Sequence, residues 1–328
     1  MNGCIFDFPL LGNSVFAFPS DEIGIFVSRQ LQNYVKKTVN VNSGDWEIEI
    51  FNRDVVKTFN EAVEKRLYVS RNFKMDDGRI VLDNLEYICT PNSIRIKYIQ
   101  NKTIIFQGKQ IVKKFLCLNE EMKYRNNSGV FYNRYLFPLL SAYAACYGYY
   151  CIHGSLIRLK DKNIVLAGLD GVGKSTMANS LSSEEGDILA DNIVMFNGIT
   201  ALNFNIAMRI DSDTESKYQT VLKFNGFKEI LPDNIGFGEV IVDRFYNLIR
   251  DQKRKTPHVE EISENAVIWT LFLNTAPEIE RANRLMAPWG YICSDGRKEE
   301  KTMRIKIFNL YIPENGLAMA KEIIKNGC

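Results

Sequence analysis

Short runs in which apolar and polar residues alternate, separated by turn-forming residues, fill the first third of the chain. Trp46 to Phe51 (WEIEIF) has the period of two that suits a strand with one wet face. Asp76-Asp77-Gly78 stands before the apolar run Arg79 to Leu82, and Pro91-Asn92-Ser93 separates Tyr87–Cys89 from Ile94–Ile99. Asn101-Lys102 then divides that run from Thr103–Phe106, and the whole spacing predicts an antiparallel meander. From Val130 to Tyr147 the apolar period lengthens to that of a helix. Two strands are predicted next, Ile152–Leu159 and Ile164–Ala167, with residues 160–163 as their hairpin turn. A glycine-rich turn and a helix follow. Beyond Glu278 the pattern turns helical again, and Leu317–Ile324 reads as an amphipathic helix.

The polar, glycine-ended stretch KYRNNSG at 123–129 marks a boundary, which predicts a β-rich α+β domain over 1–125 and a second domain over 126–328. A chain of 328 residues suits two cores. Its 46% apolar and 24% charged residues describe an ordinary globular protein. A formal charge of +2 argues against a nucleic-acid partner. The amino terminus lacks a basic start and its apolar residues are broken by Asp7, Pro9, Gly12 and Asn13, so neither a signal peptide nor a membrane partner is expected. Seven scattered cysteines without a C-x-x-C pair read as reduced cytoplasmic thiols.

The candidate chemistry lies in IVLAGLDGVGKST, Ile164 to Thr176, which matches G-x-x-x-x-G-K-[ST] between an apolar strand and a helix. Gly168, Gly171 and Gly173 permit positive φ, so main-chain N–H groups from Gly168 and from Asp170, Gly171, Val172, Gly173, Lys174, Ser175 and Thr176 can converge on a polyphosphate at a helix amino terminus. Lys174 would reach the β- and γ-phosphates and Ser175 would complete a magnesium shell. The expected cofactors are therefore ATP and Mg2+. Asp191 ends the short apolar strand within Asp187–Asn192, beside the loop in a parallel α/β arrangement, where either a metal ligand or a base belongs. Arg209 and Arg244 follow apolar runs and are candidates for meeting the migrating phosphate, while Arg250, Lys253, Arg254 and Lys255 read as a solvated loop. His153, on pattern alone, is a hydrogen-bonded core residue; His258 reads as exposed loop. Asp233 to Gly236 matches the D-x-x-G switch, but four loose positions without a guanine-reading motif disfavour a GTPase.

The stretch from His153 to Phe196, HGSLIRLKDKNIVLAGLDGVGKSTMANSLSSEEGDILADNIVMF, resembles the nucleotide-binding core of HPr kinase/phosphorylase and its HPr kinase-like relatives, which include peptide-modifying kinases of ribosomal natural-product pathways. The resemblance rests on a His-Gly strand, a hairpin into the glycine-rich turn, and a strand ending in acid. It implies an α/β, PEP carboxykinase-like P-loop core, ATP with magnesium, and phosphoryl transfer to a serine or similar hydroxyl. It also implies that His153 belongs to the active site and that Asp191 is the catalytic acid. Asn192 stands where that family has a second aspartate, and Leu169-Asp170 where it has an acid and a serine. No glycine-rich, arginine-bearing signature follows the acidic strand, which argues against HPr itself as substrate. The expected enzyme is a serine- or threonine-directed kinase acting on a peptide or small protein, with the first domain presenting the acceptor. Free serine or a sugar as acceptor, or a non-catalytic ATP-gated binding module, are the alternatives. A homo-oligomer is compatible with the sequence.

Overall fold

The computed structural model describes the backbone of strands and short segments between residues 2 and 98. It describes most of 147–263 (148, 205, 225 and 234–237 excepted), residues 266 and 270, and residues 305–327. The chain divides into two compact units, Met1–Tyr147 with Glu280–Gly296, and Gly148–Ile279 with Arg297–Cys328. The expected boundary at 125/126 lies outside the described residues, as do the strand expected at Thr103–Phe106 and nearly all of the helix expected over Val130–Tyr147.

The first unit holds an eight-stranded antiparallel sheet in the order β3-β1-β2-β4-β8-β7-β6-β5. Its strands are β1 (Asn2–Phe8), β2 (Gly12–Ala17), β3 (Val35–Asn40), β4 (Glu47–Ile50), β5 (Phe73–Asp76), β6 (Arg79–Leu82), β7 (Leu85–Cys89) and β8 (Ile94–Tyr98). Asp76 pairs with Arg79 across Asp77-Gly78, and Cys89 with Ile94 across a turn in which the Ser93 N–H donates to Thr90 Oγ1 at 2.9 Å. The meander expected over 76–98 is present. β1, β2 and β3 were not anticipated.

The second unit is mixed α/β. Its main sheet runs β16-β12-β11-β9-β10-β17-β19-β18 and a second sheet runs β13-β15-β14. The strands are β9 (Tyr150–Leu159), β10 (Lys162–Gly168), β11 (Gly186–Phe196), β12 (Thr200–Asn203), β13 (Met208–Asp211), β14 (Gln219–Lys223), β15 (Phe227–Leu231), β16 (Gly238–Ile241), β17 (Arg244–Arg250), β18 (His258–Glu261) and β19 (Lys306–Ile312). Helices α1 (Lys174–Glu185) and α2 (Leu317–Gly327) lie on one face of the main sheet. There Met177, Ala178 and Leu181 of α1 and Ala320 and Ile324 of α2 bury against Ile157, Leu159, Leu166, Ile188, Leu248 and Leu310. Met208, Ile210 and Ile230 of the smaller sheet join that core. Ile152, Leu156, Val165, Ala167, Val194, Phe196 and Phe245 form the core of the opposite face. Among the described residues no helix is long and apolar enough to cross a membrane.

β9 pairs antiparallel with both β10 and β11. β11 therefore runs in the direction of β10, as expected for the acidic strand, but one strand removed from it. A bulge interrupts β11: its pairing with β9 shifts register between Ile188 and Ala190. Leu189 and Ala190 both face the core opposite α1 as a result, and Asp191 is turned to the α1 side, directly across from Ser155. Uninterrupted alternation would have buried Asp191 in the wrong core.

Gly168 ends β10 at φ 143°, and a methyl group there would meet Leu248 O on β17 at 2.5 Å. Gly171, at φ 75°, has open space around the same position. Gly168→Ala is thus expected to cost about 3 kcal/mol or more and Gly171→Ala only about 1 kcal/mol. Urea unfolding of the two variants would check the order, and equal losses would show that the β10–β17 contact is not what fixes Gly168.

Candidate functional site

Residues 169–173 carry the chain from the carboxyl end of β10 into α1. Gly173 caps α1 at φ 102°, ψ 22°, with no side-chain cap, so no side chain occupies the helix's first N–H groups. The sequence of α1, with four serines, Thr176 and Asn179 in twelve residues, is a weak helix former. Tertiary burial and the docked first turn hold it. Lys174 folds back over the loop, its Nζ donating at 2.9 Å to both Gly168 O and Leu169 O, and is 6% exposed.

The next residue joins the loop to the acidic strand. Ser175 Oγ donates to Asp191 Oδ1 and Oδ2, both at 3.1 Å, and Ser155 Oγ donates to Asp191 Oδ1 at 2.5 Å. Asp191 is only 6% exposed, and burial pushes its carboxyl above the usual carboxylate range. The Ser155 and Ser175 hydroxyls, the Asn192 main chain and the Lys174 charge pull the other way without cancelling that effect. Asn192 itself takes φ 70°, a left-handed conformation that asparagine tolerates better than most residues. His153 lies on β9 two residues before Ser155 and on the same side. Its Nδ1 is 3.3 Å from Asp170 Oδ1.

The structure thus gathers His153, Asp170, Lys174, Ser175 and Asp191 around one loop, with Gly168, Gly171, Val172, Gly173 and Thr176 forming its frame. It does not bring Arg209 or Arg244 there. Arg209 is on β13, where Met208 and Ile210 take the buried side, so Arg209 faces out and stacks over Phe227 at 5.5 Å. Arg244 pairs with Ile164 at the start of parallel strands β10 and β17, whereas the loop leaves from their far ends, at Gly168 opposite Leu248. The reason is that VIV ends one strand and Arg244 begins the next. Arg244 instead stacks on Phe308 and reaches the carboxyl end of α2, near Gly327, where its charge suits the helix dipole.

One group near the loop, Ser155, was not singled out in the sequence, and another, Arg250, was expected in a solvated loop but ends strand β17. Ser155 shares the side of β9 that His153 occupies, and its spacing of two was the available signal. Arg250 ends β17 beside the loop: a methyl group on Gly173 would stand 3.7 Å from its Nη2 and 3.3 Å from Leu317 Cδ1. Its Nη1 donates to Pro313 O at 3.3 Å and Glu314 O at 3.2 Å. Its basic neighbours stay at the surface, Arg254 pairing with Asp251 at 3.0 Å. His258 is exposed as expected, but it begins edge strand β18 instead of lying in a loop. Residues 234–236 of the D-x-x-G match lie outside the described residues.

No family model matches the chain, and no curated protein matches it. Among solved structures it is similar to the Hpr(Ser) kinase/phosphatase from Coxiella burnetii, at 10% identity over 54% of this chain and 95% of that one, with a TM-score of 0.26. A likeness of that size carries no argument about the site, which stands on its own geometry.

Because burial raises the Asp191 pKa, the folded protein binds this proton more tightly than the unfolded chain does. Stability should therefore fall as pH rises from the ordinary carboxylate range through the raised folded value, and remain lower above it. Asp191→Asn removes that fall. The nucleotide-free, metal-free variant should melt a few degrees above wild type at neutral pH and lose the advantage in acid. Calorimetry over a pH series reads this directly; a variant that melts lower at neutral pH would contradict it.

Proposed function

We infer that the second unit is an ATP-dependent kinase that transfers the γ-phosphoryl group to a hydroxyl, with a serine or threonine of a peptide or small protein as acceptor. The observation that carries this reading is the Ser175–Asp191 hydrogen bond beside the Lys174 ammonium, at the mouth of a glycine-rich loop that opens a helix. A P-loop has these parts for a reason. Main-chain N–H groups and the helix dipole hold the phosphates, the lysine offsets their charge, and a hydroxyl with a nearby carboxylate takes the metal.

Among the described residues no group of three or more His, Cys, Asp or Glu side chains could hold a metal ion. One buried carboxylate and one serine hydroxyl nevertheless fit magnesium, which keeps most of its waters and draws its other ligands from substrate phosphates. Ser175 and Asp191 would hold it, and it would supply charge neutralisation between the β- and γ-phosphates. Lys174 would exchange two neutral carbonyls for phosphate oxygens. Among the described residues Arg250, close to Gly173, is better placed than Arg209 and Arg244 to meet the migrating phosphoryl group. In this reading the enzyme is cytoplasmic, and the amino-terminal unit presents the acceptor.

The test uses γ-labelled ATP with serine- and threonine-containing peptides, free serine and sugars as acceptors. Label should pass to a peptide hydroxyl, and Lys174→Ala and Asp191→Asn should each lower transfer by about 10²-fold or more. ATP binding without transfer to any acceptor would replace the kinase with an ATP-gated binding module. No ATP binding would remove both.

A further inference from the structure

We propose that Asp170 positions His153 as the base that takes the proton of the acceptor hydroxyl, an assignment that rests on the kinase reading above. In G-x-x-x-x-G-K-S the third position carries no requirement, and a carboxylate there repels a bound polyphosphate. The geometry places the acid at 170 beside a histidine. Asp170 Oδ1 lies 3.3 Å from His153 Nδ1, with the histidine side chain 11% exposed and the carboxylate 74% exposed. His153 sits one residue beyond the Gly154–Ala167 pair, so its ring is level with the point where β10 gives way to the loop.

An ionised carboxylate can only accept, so its place beside Nδ1 favours the tautomer with a proton there, which leaves Nε2 as the lone-pair nitrogen of the neutral ring. The rival base is less suited. Both Asp191 oxygens already accept from the Ser155 and Ser175 hydroxyls. Asp191 is also the group that would face the metal. In the transfer step the acceptor oxygen bonds to the γ-phosphorus while its proton passes to His153 Nε2. The bond from that phosphorus to the β,γ-bridging oxygen breaks, and its electron pair leaves with ADP. The imidazolium that forms faces the Asp170 carboxylate until it returns the proton to water.

The chain has two histidines, so His258→Gln leaves His153 as the sole imidazole signal in the full-length protein. Nitrogen-15 shifts of the neutral ring, recorded in that background, should report a proton on Nδ1, and Asp170→Ala should move it toward Nε2. In the kinase assay Asp170→Ala should reduce kcat by roughly tenfold or more, of the ~10²–10⁴-fold that a general base supplies, while ATP affinity is kept or tightened by loss of the repelling carboxylate. Asp170→Glu should recover part of both readouts and substitutes for the alanine variant if that fails to fold. An active wild type whose tautomer and kcat ignore Asp170 overturns the positioning role alone. A wild type that binds ATP yet phosphorylates nothing overturns the kinase reading and the base role with it.

Discussion

A carboxylate kept out of water inside a sheet is the constraint on which the second unit turns. Asp191 would be costly at this depth without donors, and the Ser155 hydroxyl, the Ser175 hydroxyl and the Asn192 main chain supply them. Those donors come from β9, α1 and β11, so satisfying one group fixes the first turn of the helix against two strands. The hydroxyls are neutral, and they solvate the carboxylate without cancelling its charge. What remains is a local field that favours a cation, at a place where a purely structural residue would be better replaced by an amide. Stability given up in this way is characteristic of sites kept for chemistry.

The bulge at Leu189–Ala190 lets that constraint coexist with two well-packed cores. Ile188 belongs to the core under α1, while Leu189 and Ala190 belong to the one opposite. Past the irregularity the alternation resumes, with Val194 and Phe196 on the side away from α1. One inserted residue thus re-aims the acid without exposing an apolar side chain. Local backbone irregularity, and no special composition, decides where the charge points.

This explains how far the sequence could be read. Turn chemistry is local, so Asp77-Gly78 and the 90–93 turn were legible, as were the hairpin into the glycine-rich loop and helix α2. A bulge is a property of pairing between strands, and nothing in DILADN announces it. The same limit hid the position of β9 between β10 and β11, since the chain order of strands does not give their order in a sheet. Ser155 carries no motif of its own, and its meaning comes from Asp191, its partner across the ladder. The amino-terminal strands β1 and β2 were passed over because Asp7, Pro9, Gly12 and Asn13 interrupt their apolar pattern; Gly12 and Asn13 in fact begin β2.

Strand direction also separates Arg250 from Arg244. β10 and β17 are parallel, so only residues at the end of β17 share an edge with Gly168. Arg244, six residues earlier, lies roughly 20 Å away along the strand. Arg250 and Lys174 therefore flank Gly173, and each donates to neutral main-chain carbonyls: Lys174 to residues 168 and 169, Arg250 to residues 313 and 314. A cation is attracted more strongly to a full opposite charge than to a neutral carbonyl dipole. On the kinase reading proposed above, a polyphosphate at the loop would compete with those carbonyls for both cations. Because residues 313 and 314 lead into α2, and Glu184 of α1 holds Lys321 and Lys325 of that helix, filling the loop would be felt along both helices.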